Sequence, residues 1–176
     1  MNNDIELNKN KVSVDRVSLI ENFTEKLLSI ADGENIVGDG ENLVYETDHL
    51  KIEHDFVDGI YIRRMNLQKN GLVIGAIHNH LHVWFLLKGH VTIANKEGVE
   101  DYEAPCQVIS TPGTRRIIQA NEDSIFVNVH KNPDNLDINK LNELEKQFCS
   151  KNMNEYKNQK KMSAVILTTV AAITAG

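Results

Sequence analysis

Cysteine is scarce: Cys106 and Cys149 are the only two in 176 residues, they stand far apart, and neither sits in a metal or redox spacing. That excludes a disulfide framework and a cysteine-built zinc site, and it predicts a reducing, cytoplasmic origin. Cations are also in deficit, with 19 Lys plus Arg against 25 Asp plus Glu and a formal net charge of −6. Affinity for nucleic acid comes mainly from clustered cations on phosphates, so no nucleic-acid partner is expected. The N-terminus has no basic region followed by an apolar run, which predicts no secretory signal. Internal repeats, a Ser/His/Asp nucleophile arrangement and a phosphate-cradling glycine loop are also missing.

What is present is a globular composition, 41% hydrophobic and 25% charged, at a length that suits one domain with one core. Val17, Ile20, Phe23, Leu27 and Ile30 recur every three or four residues, which predicts a helix over 14–31, with Asp32-Gly33 as its stop and a loop over 33–40. From residue 43 the texture changes to short β-branched and aromatic runs cut by turn residues. Strands are predicted at 43–45, 59–65, 72–77, 80–87, 90–94, 106–110, 116–119 and 125–130. Turn signals at Lys88-Gly89, Glu97-Gly98 and Pro112-Gly113, without intervening helices, predict an antiparallel sandwich or small barrel and not a parallel α/β sheet.

After Pro133 a helical stripe returns through Ile138, Leu141, Leu144 and Phe148, expected on the outside of the β domain. The chain therefore divides into an arm and helix (1–42), a barrel (43–133), and a helix with an apolar tail (134–176). Residues 162–176 carry no charge. As a helix they would reach about 22 Å, short of the bilayer core of about 30 Å, so a membrane span is not expected. The small residues Ala164, Thr168, Ala171, Ala172 and Ala175 suit close packing on the domain itself or on a neighbouring subunit.

The chemistry concentrates in 75–89. In a strand, side chains two apart share a face, so His80, His82, Trp84 and Leu86 line one side at steps of about 6.6 Å, with His78 at the entry. His130 ends the alternating run 125–130 and could enter the same cavity from across the barrel. Imidazole is the commonest transition-metal ligand, because its neutral form near pH 7 offers a lone pair. The plain alternative is that these histidines face solvent or bond backbone carbonyls. His49, His54 and His90 are assigned structural or surface roles, with His54 placed to pair with Glu53 or Asp55.

The segment from Gly75 to Gly89, followed by Ala104-Pro105, by Thr111-Pro112-Gly113-Thr114-Arg115-Arg116 and by the strand ending at His130, resembles the cupin superfamily. More narrowly it resembles small cupin-domain proteins of tailed bacteriophages, well over 43–133 and loosely in the flanking helices. The resemblance implies a mainly β fold, a cupin-like antiparallel β-barrel of jelly-roll type, with an N-terminal helix, a C-terminal helix and an apolar tail. It also implies a metal held inside by a first motif (His-x-His, then Glu, then Gly) and a second (Pro-x-Gly, two residues, His). Here His82 stands where the first motif has Glu, and Arg115-Arg116 replace the second motif's histidine.

The phage group's spacing implies His78, His82 and His130 as ligands, with His80 as an additional candidate. Without the carboxylate, such a site favours divalent zinc, iron, manganese or nickel over calcium or magnesium, which want hard oxygen ligands. The function implied is a metal-stabilised phage protein, in the host cytoplasm or the virion, forming a homo-oligomer or docking other assembly proteins through its C-terminal segment. The alternative is a metal-dependent enzyme of oxygenase, isomerase or lyase type acting on a small molecule. Arg115 and Arg116 could clamp a carboxylate or phosphate beside the cavity, but are expected to pair with surface acids such as Glu122 or Asp123. Arg63 and Arg64 point to opposite faces of their strand, so one of them turns inward and needs a buried partner.

Overall fold

The computed structural model describes residues 15–31, 36–38 and 46–174. The first helix, α1 (Arg16–Ser29), starts where the Asp15 carboxylate accepts the backbone N–H groups of Val17 at 3.1 Å and Ser18 at 3.2 Å. Its buried positions are Thr24 and Leu27, whereas Phe23 and Ile30 stand in solvent. The apolar stripe is thus rotated from the one the sequence suggests, because only one side of the helix meets the sheet below. The predicted strand at 43–45 lies outside the described residues.

Among the described residues there are twelve strands: β1 (Ile36–Gly38), β2 (Leu50–Val57), β3 (Ile60–Leu67), β4 (Leu72–Ile74), β5 (Ile77–His78), β6 (His82–Lys88), β7 (His90–Asn95), β8 (Gly98–Glu103), β9 (Cys106–Ser110), β10 (Ile117–Ala120), β11 (Ser124–Lys131) and β12 (Cys149–Ser150). They form one five-stranded sheet in the order β1-β4-β10-β7-β8, a second in the order β2-β3-β11-β6-β9, and a two-stranded piece, β12-β5. Every pairing is antiparallel except β1 with β4. Strands adjacent in the chain fall repeatedly into different sheets, the crossing pattern of a jelly roll. The fold is therefore the mainly β, antiparallel, two-sheet type expected from the sequence.

The core follows from strand alternation. In β6 the burial alternates from His82 through Trp84 to Leu86, and Trp84 and Leu86 join Met65, Phe126, Val91, Ile93 and Ile118 in the main cluster. Leu27 of α1 covers the outer face of the first sheet, against Ile74 and Ile117. At the β6–β7 turn Gly89 holds φ +86°, and a Cβ there would sit 2.3 Å from Ser124 Oγ, so only glycine fits.

The second helix, α2 (Leu141–Phe148), follows a 3₁₀ turn at Ile138–Lys140. It does not lie on the outside of the barrel as expected. Leu141, Leu144 and Phe148 pack on Tyr61, an inward residue of β3, so α2 plugs one end of the space between the sheets. Ile138, predicted to share that stripe, is 47% exposed. The third helix, α3 (Met153–Thr174), contacts β12, and among the described residues no helix is long and apolar enough to cross a membrane.

Candidate metal centre

Strand register brings two of the predicted histidines together. β6 and β11 pair antiparallel with Val83 opposite Val129, so the inward side chains of His82 and His130, one residue beyond on each strand, become neighbours with ring centroids 4.7 Å apart. The third comes from a different element. β5 is held by β12, with His78 opposite Cys149, and this places the His78 ring 4.1 Å from His82 and 5.2 Å from His130. One ring nitrogen from each of the three lies within 4.8 Å of the others, near enough for one ion to bridge them after small ring rotations.

All three are buried, His130 to 1% exposure. Nε2 of His82, Nε2 of His130 and both ring nitrogens of His78 are buried without a hydrogen-bond partner. Buried polar atoms are nearly always satisfied, so a convergent set of orphaned lone pairs calls for a shared partner, and a cation supplies it.

His80, the fourth candidate, plays a different part. The strand predicted over 80–87 begins only at His82, and His80 sits half-buried in the break between β5 and β6. Its carbonyl faces His82 Nδ1 at 3.5 Å and its own Nε2 faces His130 Nδ1 at 3.4 Å. Both contacts leave Nε2 of the two buried rings directed toward the centre, the role of an outer partner that fixes ligand tautomers.

The far side of the centre is sealed by aromatic rings and one ion pair. Phe148 stacks on His130 at 4.4 Å and 10° between planes, and Tyr61 stacks on it at 5.9 Å. Arg63 forms an ion pair with Glu145 of α2, both side chains nearly buried, and its Nε donates to the Tyr61 hydroxyl at 3.2 Å. So Arg63 is the inward arginine, and its partner comes from 82 residues further along the chain, which strand alternation alone does not reveal.

Elsewhere the structure differs from the sequence expectation. Arg115 is not at the surface with Glu122 or Asp123; it is buried and bonds Glu21 of α1 at 2.8 Å, the Gly75 carbonyl at 2.8 Å and the Lys151 carbonyl. Arg116 is buried as well. His54 bonds the Tyr61 hydroxyl at 2.8 Å, and Glu53 and Asp55 form ion pairs with Arg64. His90 stands 3.8 Å from Asp101, remote from the triad, as its surface role requires.

Burial holds all three triad imidazoles neutral. It lowers His78 well below the usual range, with His82 and His130 adding to the effect. It lowers His130 likewise, helped by Arg63. His82 is pushed down to about 3, mainly by burial and then by Arg116. The unfolded chain protonates these rings near pH 6.5, whereas the folded, metal-free chain does not, so below pH 6.5 the unfolded state binds more protons. Stability of the metal-free protein is therefore complete above about pH 6.5 and falls as the pH drops below it, by up to about 1.4 kcal/mol per pH unit for each ring that stays neutral. Urea unfolding in chelator between pH 8 and pH 5 measures this; a midpoint that does not move across that interval would contradict buried, neutral rings.

No family profile matches the chain, and no curated protein does. Among solved structures, ectoine synthase from P. lautus aligns with 57% of this chain and 75% of its own, at 12% identity and a TM-score of 0.47. A cupin-2 domain protein from Shewanella frigidimarina aligns with 49% of this chain and 84% of its own, at 11% identity and a TM-score of 0.41. Oxalate decarboxylase from Lactobacillus farciminis, in a formate complex, aligns with 55% of this chain and 33% of its own, at 18% identity and a TM-score of 0.43. Likeness of this degree assigns no role to any residue.

Proposed function

We propose that the chain is a cupin-type metalloprotein that holds one divalent first-row transition ion on His78, His82 and His130, and that the ion serves a small-molecule site. The observation that carries this is the convergence of buried, unpartnered ring nitrogens from β5, β6 and β11. A neutral three-imidazole set suits zinc, iron(II), manganese or nickel and offers calcium or magnesium none of the oxygen ligands they need. When bound, such an ion supplies a Lewis acid with coordination positions that three ligands do not fill.

The chain's own residues do the rest. His80 orients His82 and His130, Phe148 and Tyr61 keep water from one side, and a cavity bordered by Ser110, which pairs with His82 across β6 and β9, lies on another. That cavity adjoins the centre through Ser110 and is lined by none of the three histidines; it supports a small-molecule role beside the ion. A place in a phage particle is supported by the sequence resemblance and the uncharged residues 162–176, and finding the chain by mass spectrometry in purified particles is its test. For the metal itself, elemental analysis of full-length protein reloaded with zinc or iron(II) and desalted is expected to give one ion per chain. Protein that retains none would refute the proposal.

A further inference from the structure

The mouth between β8 and β9 opens into a cavity of about 240 Å³ that the three histidines do not line. Its interior is built from groups that can only, or can readily, donate hydrogen bonds. Arg116 is 94% buried, at 6% exposure, and makes no hydrogen bond or ion pair with any described residue. Ser110 Oγ and Trp84 Nε1, both on the same lining, are buried and unpartnered. Two buried, unpartnered donors and a cation without a hydrogen-bond partner in one cavity describe a receptor for an oxyanion, because the two donors lose their hydration on folding and nothing in the described chain repays it.

Strand parity explains why Arg116 points there. Ile118 and Ala120 of β10 face the core, so Arg116, two residues before Ile118, faces the same interior while Ile117 faces α1. Burial pushes its pKa down to about 10, against the opposing pull of Tyr102 and Glu97, which still leaves it cationic at neutral pH. The rim has the opposite sign. Glu97 and Glu100 lie at the mouth, and Glu100 accepts a hydrogen bond from Tyr102. Neutralisation of a bound anion therefore falls to Arg116 alone, one positive charge for one negative charge.

We propose that this cavity binds a small monocarboxylate, with its carboxylate on the Arg116 guanidinium and the Ser110 hydroxyl. A planar guanidinium matches a carboxylate with two parallel N–H donors, and the volume limits the remainder to a few heavy atoms. The assignment names the ligand class of the small-molecule site and rests on that reading of the histidine centre, but none of its donors is a member of the triad.

Calorimetric titration of the full-length, metal-loaded protein with propionate and with propionamide tests it, with metal content measured on the same samples. Propionate is expected to bind saturably at one site per chain, and propionamide about ten- to hundredfold more weakly, the value of a hydrogen bond to a charged group. Arg116→Gln is expected to lose propionate binding by a similar factor with its metal content unchanged. Ser110→Ala, a milder change that supplies a second variant should the first fold poorly, is expected to weaken binding about fivefold. Equal binding of acid and amide, undiminished binding by Arg116→Gln, or no propionate binding by wild type overturns the proposal. A chain that takes up no metal yet binds propionate through Arg116 upholds the pocket and contradicts the metal centre, so the two failures are distinct.

Discussion

Stripping the metal with a chelator is expected to lower the thermal unfolding midpoint of the wild-type protein by about 10 °C, and His130→Ala is expected to abolish that difference. An ion that binds only the folded state at about a thousand times its Kd adds about 4 kcal/mol. In a chain of this size each kcal/mol moves the midpoint by about 2–4 °C. His130 is the ligand to remove, because it is the most buried of the three, at 1% exposure, and comes from the central strand β11.

Truncation also opens a cavity, so the absolute midpoint will fall for packing reasons alone. The decisive quantity is the shift between metal-loaded and stripped samples of each variant. His82→Ala should behave as His130→Ala does, whereas His49→Ala, in the turn before β2 and outside the triad, should keep the full shift. A chelator-sensitive midpoint that survives both triad substitutions would place the ion elsewhere.

Glu145→Leu is expected to destabilise the protein by about 3–5 kcal/mol, the usual cost of leaving one member of a buried ion pair without its partner. The pair ties α2 to β3 beneath the histidine centre, with both side chains only 11–12% exposed. Replacing both members, as Arg63→Met with Glu145→Leu, should recover most of the loss, because two apolar side chains of similar volume need no mutual charge compensation. Urea unfolding of the two single variants and the double variant completes the cycle. A Glu145→Leu protein within 1 kcal/mol of wild type would show that Arg63 finds another partner or water.

The same pair has a consequence for the site. Glu145 and Phe148 share one face of α2, three residues apart, and Phe148 is the ring stacked on His130. Loosening α2 should therefore weaken metal retention as well as stability.

Strand alternation made the central pair of ligands legible. His82 and His130 sit at inward positions of strongly apolar strands, and such strands announce their parity in the sequence. His80 shows the limit of that rule. Period-two spacing puts it on the face of His82, yet the chain breaks at 79–81 because Asn79 is held by tertiary contacts. Its N–H donates to the Phe148 carbonyl at 2.7 Å, and its side chain bonds Gln159 and Ser150. Partners some 70–80 residues away leave no mark in a local window.

Not predicted from the sequence are β12, a two-residue piece, and β1, which falls within the 33–40 predicted as a loop, together with β2 and β8, which have few buried residues. β2 and β8 are edge strands, rich in Lys51, Glu53, Asp55, Glu100 and Asp101, and charged edges protect a sheet from unwanted pairing while hiding its apolar signal. Arg115 and Arg116 were misplaced for a related reason. Adjacent arginines read as surface residues until the fold shows one bonded to α1 and the other facing a cavity.

The most direct measurement is X-ray absorption at the metal edge of the reloaded, full-length protein. Three imidazole nitrogens at about 2.0–2.1 Å from a zinc ion, reduced in number by His78→Ala, is the expected result. A first shell of oxygen or sulfur, or a nitrogen count indifferent to that substitution, would contradict the assignment of His78, His82 and His130 as the ligands.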